Sequence, residues 1–223
     1  MSKGVTFYFV RHGETYFNQY FRMQGWSNAP LTEKGIRDVH RSGRGLAEVE
    51  FDAVYTSDLQ RTVDTAEILL EENHHAFGLH IEKMYEFREV FFGTLEGLPS
   101  KDVWPNVMDS VKIMYDLPAG TDAEVAQTMN AIKKADPEGD AENYLEFWTR
   151  VEPGILKLLE RHKATDENIL VVSHGMTIRY ILDGLLPDFE ESEPLQNASV
   201  TRISYRDGQF ELLDYNKTDH FTD

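Results

Sequence analysis

The chain has 223 residues, with 39 Asp and Glu against 22 Lys and Arg, a formal net charge of −17 and no cysteine. That balance disfavours nucleic acid and anionic membranes as partners, and the lack of cysteine removes disulfides and thiolate metal sites. The length suits one large domain or a core with an insertion; no apolar run approaches a membrane span, and Met1-Ser2-Lys3-Gly4 enters a strand without an export segment, so the expected location is cytoplasmic.

Val5 to Val10 is apolar almost throughout and reads as a strand buried on both faces. It runs straight into Arg11-His12-Gly13, which delivers a cation and an imidazole together at a strand end; Gly13 is read as clearing close approach to them. Residues 18 to 31 form a polar, aromatic loop. Thr32 caps a helix with Ile36, Val39, Leu46 and Ala47 on its inner side. Ala53 to Tyr55 is a second strand. Ser57 or Asp58 then caps a helix over 58 to 71 with the stripe Leu59, Val63, Ala66, Leu70. His80 to Met84 is a weak third strand. Residues 99 to 142 differ in texture: prolines, a helix of mixed period near Val107 to Met114, and an acidic turn at 136 to 140. They read as an insertion covering the core of a single domain spanning 1–223. Tyr144 to His162 is helical, with Phe147, Val151 and Leu158 inward and a kink or a fresh start at Pro153. Ile169 to Val172 is another buried strand, ending in Ser173-His174-Gly175 before a helix through Ile178, Ile181 and Leu182. Val200 to Tyr205 and Phe210 to Tyr215 alternate and are joined by Asp207-Gly208, a hairpin signal. Strands alternating with helices give an α/β fold: a three-layer sandwich with a mostly parallel sheet, whose ligands sit at the carboxyl ends of the strands.

Two of those ends carry the same chemistry. Val10-Arg11-His12-Gly13 and Val172-Ser173-His174-Gly175 each place a histidine and a glycine after a buried strand. The helix after Gly175 directs its first amides to the same place, which favours an anion. Arg61 lies in the first turn of a helix that also follows a strand. Arg11, His12, Arg61 and His174 therefore cluster. Alone, Arg11-His12-Gly13 is compatible with a metal ligand, an anion site or a packed histidine.

The wider pattern resembles the histidine phosphatase superfamily, the phosphoglycerate mutase-like family. The matching segments are Arg11-His12-Gly13-Glu14-Thr15 with Asn18, Gln24-Gly25-Trp26 to Pro30-Leu31-Thr32 with Gly35, and Thr56-Ser57-Asp58-Leu59 with Arg61 and Thr65-Ala66. They continue through Arg88-Glu89, Phe92-Gly93 and Glu96-Gly97, Ser173-His174-Gly175 with Arg179, and Asn197 before Ser199. They follow the family's order over nearly all the chain apart from the helical insertion.

The resemblance implies that His12 is the nucleophile forming a phosphohistidine, that Arg11, Arg61 and His174 clamp the phosphate, and that Asn18 adds a hydrogen bond. Gln24, Gly25 and Gly175 complete the substrate-binding set. Glu89 resembles the proton donor to the leaving alcohol. A hydrogen bond from the other ring nitrogen of His12 to a backbone carbonyl would fix its tautomer. The expected ligand is a small phosphorylated substrate, with no metal and no cofactor. Arg22 and Arg88 are expected in salt bridges and Arg179 in a structural ion pair, while the remaining histidines read as ordinary packed or surface residues. Phe92-Gly93-Thr94-Leu95-Glu96-Gly97 carries an acidic Glu96, and 99 to 142 holds only lysines as basic groups; both favour a phosphatase over a mutase. A non-catalytic relative that binds phosphorylated ligands and a metal-dependent phosphoesterase are the other readings. The first would lack a core residue, and the second needs a cluster of Asp and His ligands that is not evident near His12.

Overall fold

A computed structural model describes residues 3–118, 123–190 and 193–222. Strand β1 (Val5–Arg11) is followed by a single helical turn, α1 (Tyr16–Gln19), and by α2 (Glu33–Gly45). Then come β2 (Ala53–Thr56), α3 (Gln60–Glu72) and β3 (Ile81–Lys83). Helices α4 (Ser100–Tyr115), α5 (Val125–Ala135) and α6 (Tyr144–His162) precede β4 (Glu167–Ser173) and α7 (Gly175–Leu185). The hairpin β5 (Val200–Arg206) and β6 (Gln209–Lys217) closes the sheet. The strand order is β3-β2-β4-β1-β5-β6, with β3, β2, β4 and β1 parallel and β5 and β6 antiparallel. The fold is α/β, as the alternation of strands and helices requires.

Side chains of β1 alternate between two cores. Phe7 and Phe9 join Ile169, Val171 and residues of α4 to α7 on one face. Tyr8 and Val10 join Leu170, Val172, Val39 of α2 and Ala66 and Leu69 of α3 on the other. The sheet is thus sealed between helical layers, which explains why β1 and β4 read as continuous apolar runs.

Three local expectations change. Ile36 is 39% exposed, because α2 turns Gly35, Val39, Ser42 and Gly43 inward instead. Helix α3 begins at Gln60 with no side-chain cap; the Ser57 hydroxyl is committed to Thr62 and His174, both at 2.8 Å. Helix α6 is a single element through Pro153, which lies on its exposed face. Losing one amide donor there leaves the Thr149 carbonyl to solvent instead of stranding it in the core.

Candidate active site

Register builds the site. Arg11 of β1 pairs with Ser173 of β4, and Thr56 of β2 pairs with Val172. The residues just past these strands are then tied by backbone: His12 N–H donates to the Ser173 carbonyl at 3.0 Å, and Ser57 N–H to the Val172 carbonyl at 3.1 Å. His12, Ser57 and His174 are held side by side, and the His12 and His174 rings lie 5.2 Å apart, centre to centre.

Valence fixes the tautomers. His12 Nδ1 is 2.8 Å from the Gly13 carbonyl, which only accepts, so Nδ1 carries the hydrogen and Nε2 keeps its lone pair. Burial, and then Arg61 and Arg11, hold the His12 pKa well below its ordinary value, so the ring is neutral at pH 7. For His174 the pattern reverses. Arg61 Nη2 donates to its Nδ1 at 2.9 Å, so its hydrogen sits on Nε2 and goes to Ser57 Oγ at 2.8 Å. Thr62 Oγ1 spends its own hydrogen on the Ser57 and Leu59 carbonyls, so Ser57 in turn donates to Thr62. His174 is fully buried, and burial followed by Arg61 holds its pKa well below the usual histidine range. In this arrangement His174 steadies Arg61 as an acceptor; it donates to an oxyanion only after gaining a proton.

Arg61 is almost completely buried, and desolvation lowers its pKa to about 10. Its other hydrogen bonds run to the carbonyls of Gly25 (2.6 Å) and Ser27 (3.0 Å). Arg11 donates to the Leu195 carbonyl and crosses the start of α7, where a side chain at Gly175 would press on its Nε at 3.2 Å. Nε of Arg11 and Nε of Arg61 are buried with no acceptor among the described residues, two free charged donors suited to an oxyanion. Gly13 has a different duty from the one expected: a Cβ there would lie 2.7 Å from Val39 Cγ2, so the glycine lets β1 pack on α2.

Glu89 is buried against the first turn of α7. Its Oε1 accepts from Thr177 N–H (2.9 Å), Thr177 Oγ1 (3.0 Å) and Val90 N–H (3.0 Å), while Oε2 has one contact, Met176 N–H at 3.2 Å. Thr15 caps α1 and donates to Gln24 Oε1 at 2.7 Å. Asn18 Oδ1 accepts from Thr15 N–H and from Asn197 Nδ2, and Asn197 also donates to the His12 carbonyl at 3.0 Å. Arg11, Asn18, Gln24, Glu89 and Gly175 line one cavity of about 900 Å³; His12, Arg61 and His174 are buried at the strand ends and do not line it, and this buried cluster is connected to the cavity through Arg11 and Glu89.

Sequence reasoning missed several supports. Ser57 orients His174; its serine-to-threonine spacing with Thr62 was the available signal. Glu96 accepts from the amides of Trp26 (2.7 Å) and Ser27 (2.6 Å), pinning the loop whose carbonyls hold Arg61. Its carboxylate is therefore committed to the loop and carries no information about substrate charge. Trp26 packs the same loop, stacked on Phe91 at 4.6 Å, whereas Phe21 is exposed at the cavity mouth. Arg88 forms the expected salt bridge, bidentate to Asp58 at 2.6 and 2.7 Å. Arg22 and Arg179 do not: neither is ion-paired among the described residues, and both line the cavity. His40, His74, His75 and His162 pair with carboxylates away from the cavity, and His220 with Ser42. Among the described residues, no group of three or more His, Cys, Asp or Glu is placed to hold a metal ion, and no helix is long and apolar enough to cross a membrane.

Paired strand ends that bring two buried histidines together with two buried guanidinium groups define an anion-handling α/β class of site. The chain belongs to the histidine phosphatase superfamily, branch 1, whose sequence profile matches residues 7–218. It is 32% identical to a probable phosphoglycerate mutase, GpmB, of Yersinia pestis (strain Pestoides F), over 90% of this chain and 85% of that one. Among solved structures it resembles a phosphoglycerate mutase from Bacillus anthracis str. Sterne (TM-score 0.88, 30% identity, 99% and 96% of the two chains). It also resembles an alpha-ribazole phosphatase from Shigella flexneri (TM-score 0.73, 25% identity, 96% of each chain).

Proposed function

We propose that the chain is a metal-independent phosphomonoester hydrolase working through a phosphohistidine on a small phosphorylated metabolite. The observation that carries this reading is the His12 tautomer: Nδ1–H is held by the Gly13 carbonyl, which leaves Nε2 as a neutral nucleophile. Nε2 attacks phosphorus as the P–O ester bond breaks, and the leaving alkoxide takes a proton from Glu89. Water then attacks the phosphohistidine, gives a proton back to Glu89, and releases phosphate and neutral His12. Arg11 and Arg61 balance the charge on the transferring oxygens. A dianion beside them favours protonation of His174, which turns it from an acceptor for Arg61 into a third donor. Helices α4 and α5, which contribute Trp104, Val125 and Thr128 to the cavity wall, act as the cap of a single domain.

The test is His12→Ala assayed with EDTA present. Turnover and acid-labile phosphoenzyme labelling should vanish together; full activity in that variant would remove His12 as nucleophile. A second reading, phosphoryl transfer between hydroxyls of a phosphoglycerate, is favoured by the names of the relatives at 30% and 32% identity. Incubation with 3-phosphoglycerate separates the two: inorganic phosphate supports the hydrolase, 2-phosphoglycerate the mutase.

A further inference from the structure

The segment that carries Glu89 belongs to no strand: a short 3-10 turn, Tyr85–Phe87, runs into irregular backbone up to Phe92. It is nonetheless buried, with Phe87, Val90 and Phe92 no more than 3% exposed, so its carbonyls and amides need partners from elsewhere. Those partners converge on one side chain. Arg150 of α6 donates through Nη1 to the carbonyls of Glu86 (2.8 Å) and Arg88 (3.1 Å), and through Nη2 to that of Glu89 (3.3 Å). Its Nε and Nη2 also meet the two oxygens of Glu142 at 2.7 and 2.8 Å. A guanidinium has five N–H hydrogens, and these five contacts use them all.

Glu142 closes the arrangement from the other side. Its Oε2 accepts from Phe91 N–H at 3.1 Å, and its own N–H donates to the Phe91 carbonyl at 2.8 Å. The Glu89 carbonyl receives a second and shorter donor, the Trp26 indole N–H at 2.8 Å. The Arg150 and Glu142 side chains are 4% and 10% exposed, a dry setting in which a fork matched to a carboxylate is strong. Charge neutralisation alone would need only Glu142. The three remaining N–H groups of Arg150 all go to the run that ends at Glu89. The Glu89 carboxylate itself is gripped mainly through Oε1, which leaves Oε2 with one contact, Met176 N–H. Where Oε2 lies is then set by the backbone that Arg150 holds.

We infer that Arg150, locked by Glu142 and joined by the Trp26 indole, is a positioning residue: it holds the main chain of residues 86–91 so that Glu89 Oε2 meets the leaving oxygen of the substrate. This rests on Glu89 being the proton donor. The test compares kcat/KM for 4-nitrobenzyl phosphate and 4-nitrophenyl phosphate, two esters of similar shape whose leaving groups differ in their need for a proton. Arg150→Lys keeps a cation for Glu142 but puts a single ammonium in place of the fork. It should lower the benzyl-to-phenyl ratio about tenfold, and should lower it no further once Glu89→Gln is present. Equal losses on both esters, or the same additional fall in the Glu89→Gln chain, would make Arg150 a brace of the fold and overturn the inference. Trp26→Phe keeps the ion pair and removes one neutral N–H; its ratio should fall about threefold. That variant decides the matter if Arg150→Lys does not fold, and an unmoved ratio there overturns the inference. Glu89→Gln alone separates the two claims. If it leaves the ratio unmoved, the proton-donor reading falls and the inference with it; if it shifts the ratio while Arg150→Lys does not, only the inference falls.

Discussion

In the buried floor at the strand ends, His12, Ser57 and His174 follow directly from three hydrogen-bonded strands, and backbone bonds of 3.0 and 3.1 Å continue the ladder past the strand ends. At the wall, Trp104, Val125 and Thr128 stand on α4 and α5, which pack mainly on each other and on α6. The floor is polar, buried and cross-linked: Arg61 alone joins Gly25, Ser27 and His174. The wall is largely apolar, and its Arg22 and Arg179 are not ion-paired with any carboxylate among the described residues. Because the floor is held by the sheet, wall side chains can change without moving the reacting atoms. On the proposed function the two regions divide the labour: the floor fixes the reaction and the wall selects the alcohol.

The largest effects should come from the floor and be indifferent to substrate. Arg61→Met removes the donor to His174 and the anchor of the 25–27 loop, and should lower kcat by about 10³ on aryl and alkyl phosphates alike. A loss confined to one substrate would place Arg61 in the selecting wall and break the division. Glu89→Gln should lower kcat by about 10² on alkyl phosphates and distinctly less on an aryl phosphate, whose leaving group needs less proton assistance. Equal losses on both would leave Glu89 as a brace for α7, where Thr177 and Met176 amides already hold it.

The same division explains what the sequence disclosed. His12 and His174 sit where a strand of apolar residues stops and one polar group follows, so periodicity and motif point at them together, whereas Arg61 and Glu89 are legible only through the motif resemblance. Arg22 and Arg179 escaped because an arginine beside many carboxylates is expected to pair; only side-chain placement shows that none of the described carboxylates reaches them. Ser57 was read as a helix cap because serine after a strand suits that duty, yet a tertiary partner 117 residues away claimed the hydroxyl. Pro153 was weighed as a break, and tertiary packing of Phe147, Val151 and Leu158 carried the helix through it.

A smaller effect separates the regions by pH, since no histidine lines the wall among the described residues. His12 and His174 are both held below their ordinary pKa of 6.5 in the folded chain. Above that value neither the folded nor the unfolded state binds the proton, and nothing is lost. Below it the unfolded chain takes protons that the folded floor refuses. Stability should fall by about 1.4 kcal/mol per pH unit for each group until the folded pKa is reached. Urea melts at pH 7 and 5.5 read the slope. His220, lowered by burial, adds to it, so the floor's share is the difference from His12→Asn/His174→Asn. An unchanged slope in that variant would mean that the two histidines titrate in the folded chain as in the unfolded one, and that the floor is less desolvated than its burial indicates.

The smallest effect belongs to the wall. Trp104 is partly buried, packs on the core through α4 and lines the cavity. Trp104→Ala removes apolar surface that the alcohol portion would cover, worth about 1 kcal/mol if roughly 40 Å² of contact is lost. KM for a bulky phosphomonoester should rise about fivefold, with kcat within a factor of two and KM for a short alkyl phosphate nearly unchanged. Steady-state kinetics on the two substrates decides it. A fall in kcat on both would show that α4 reaches the floor through the protein, because a residue that only covers the alcohol contributes equally to ground and transition states and leaves the chemical step alone.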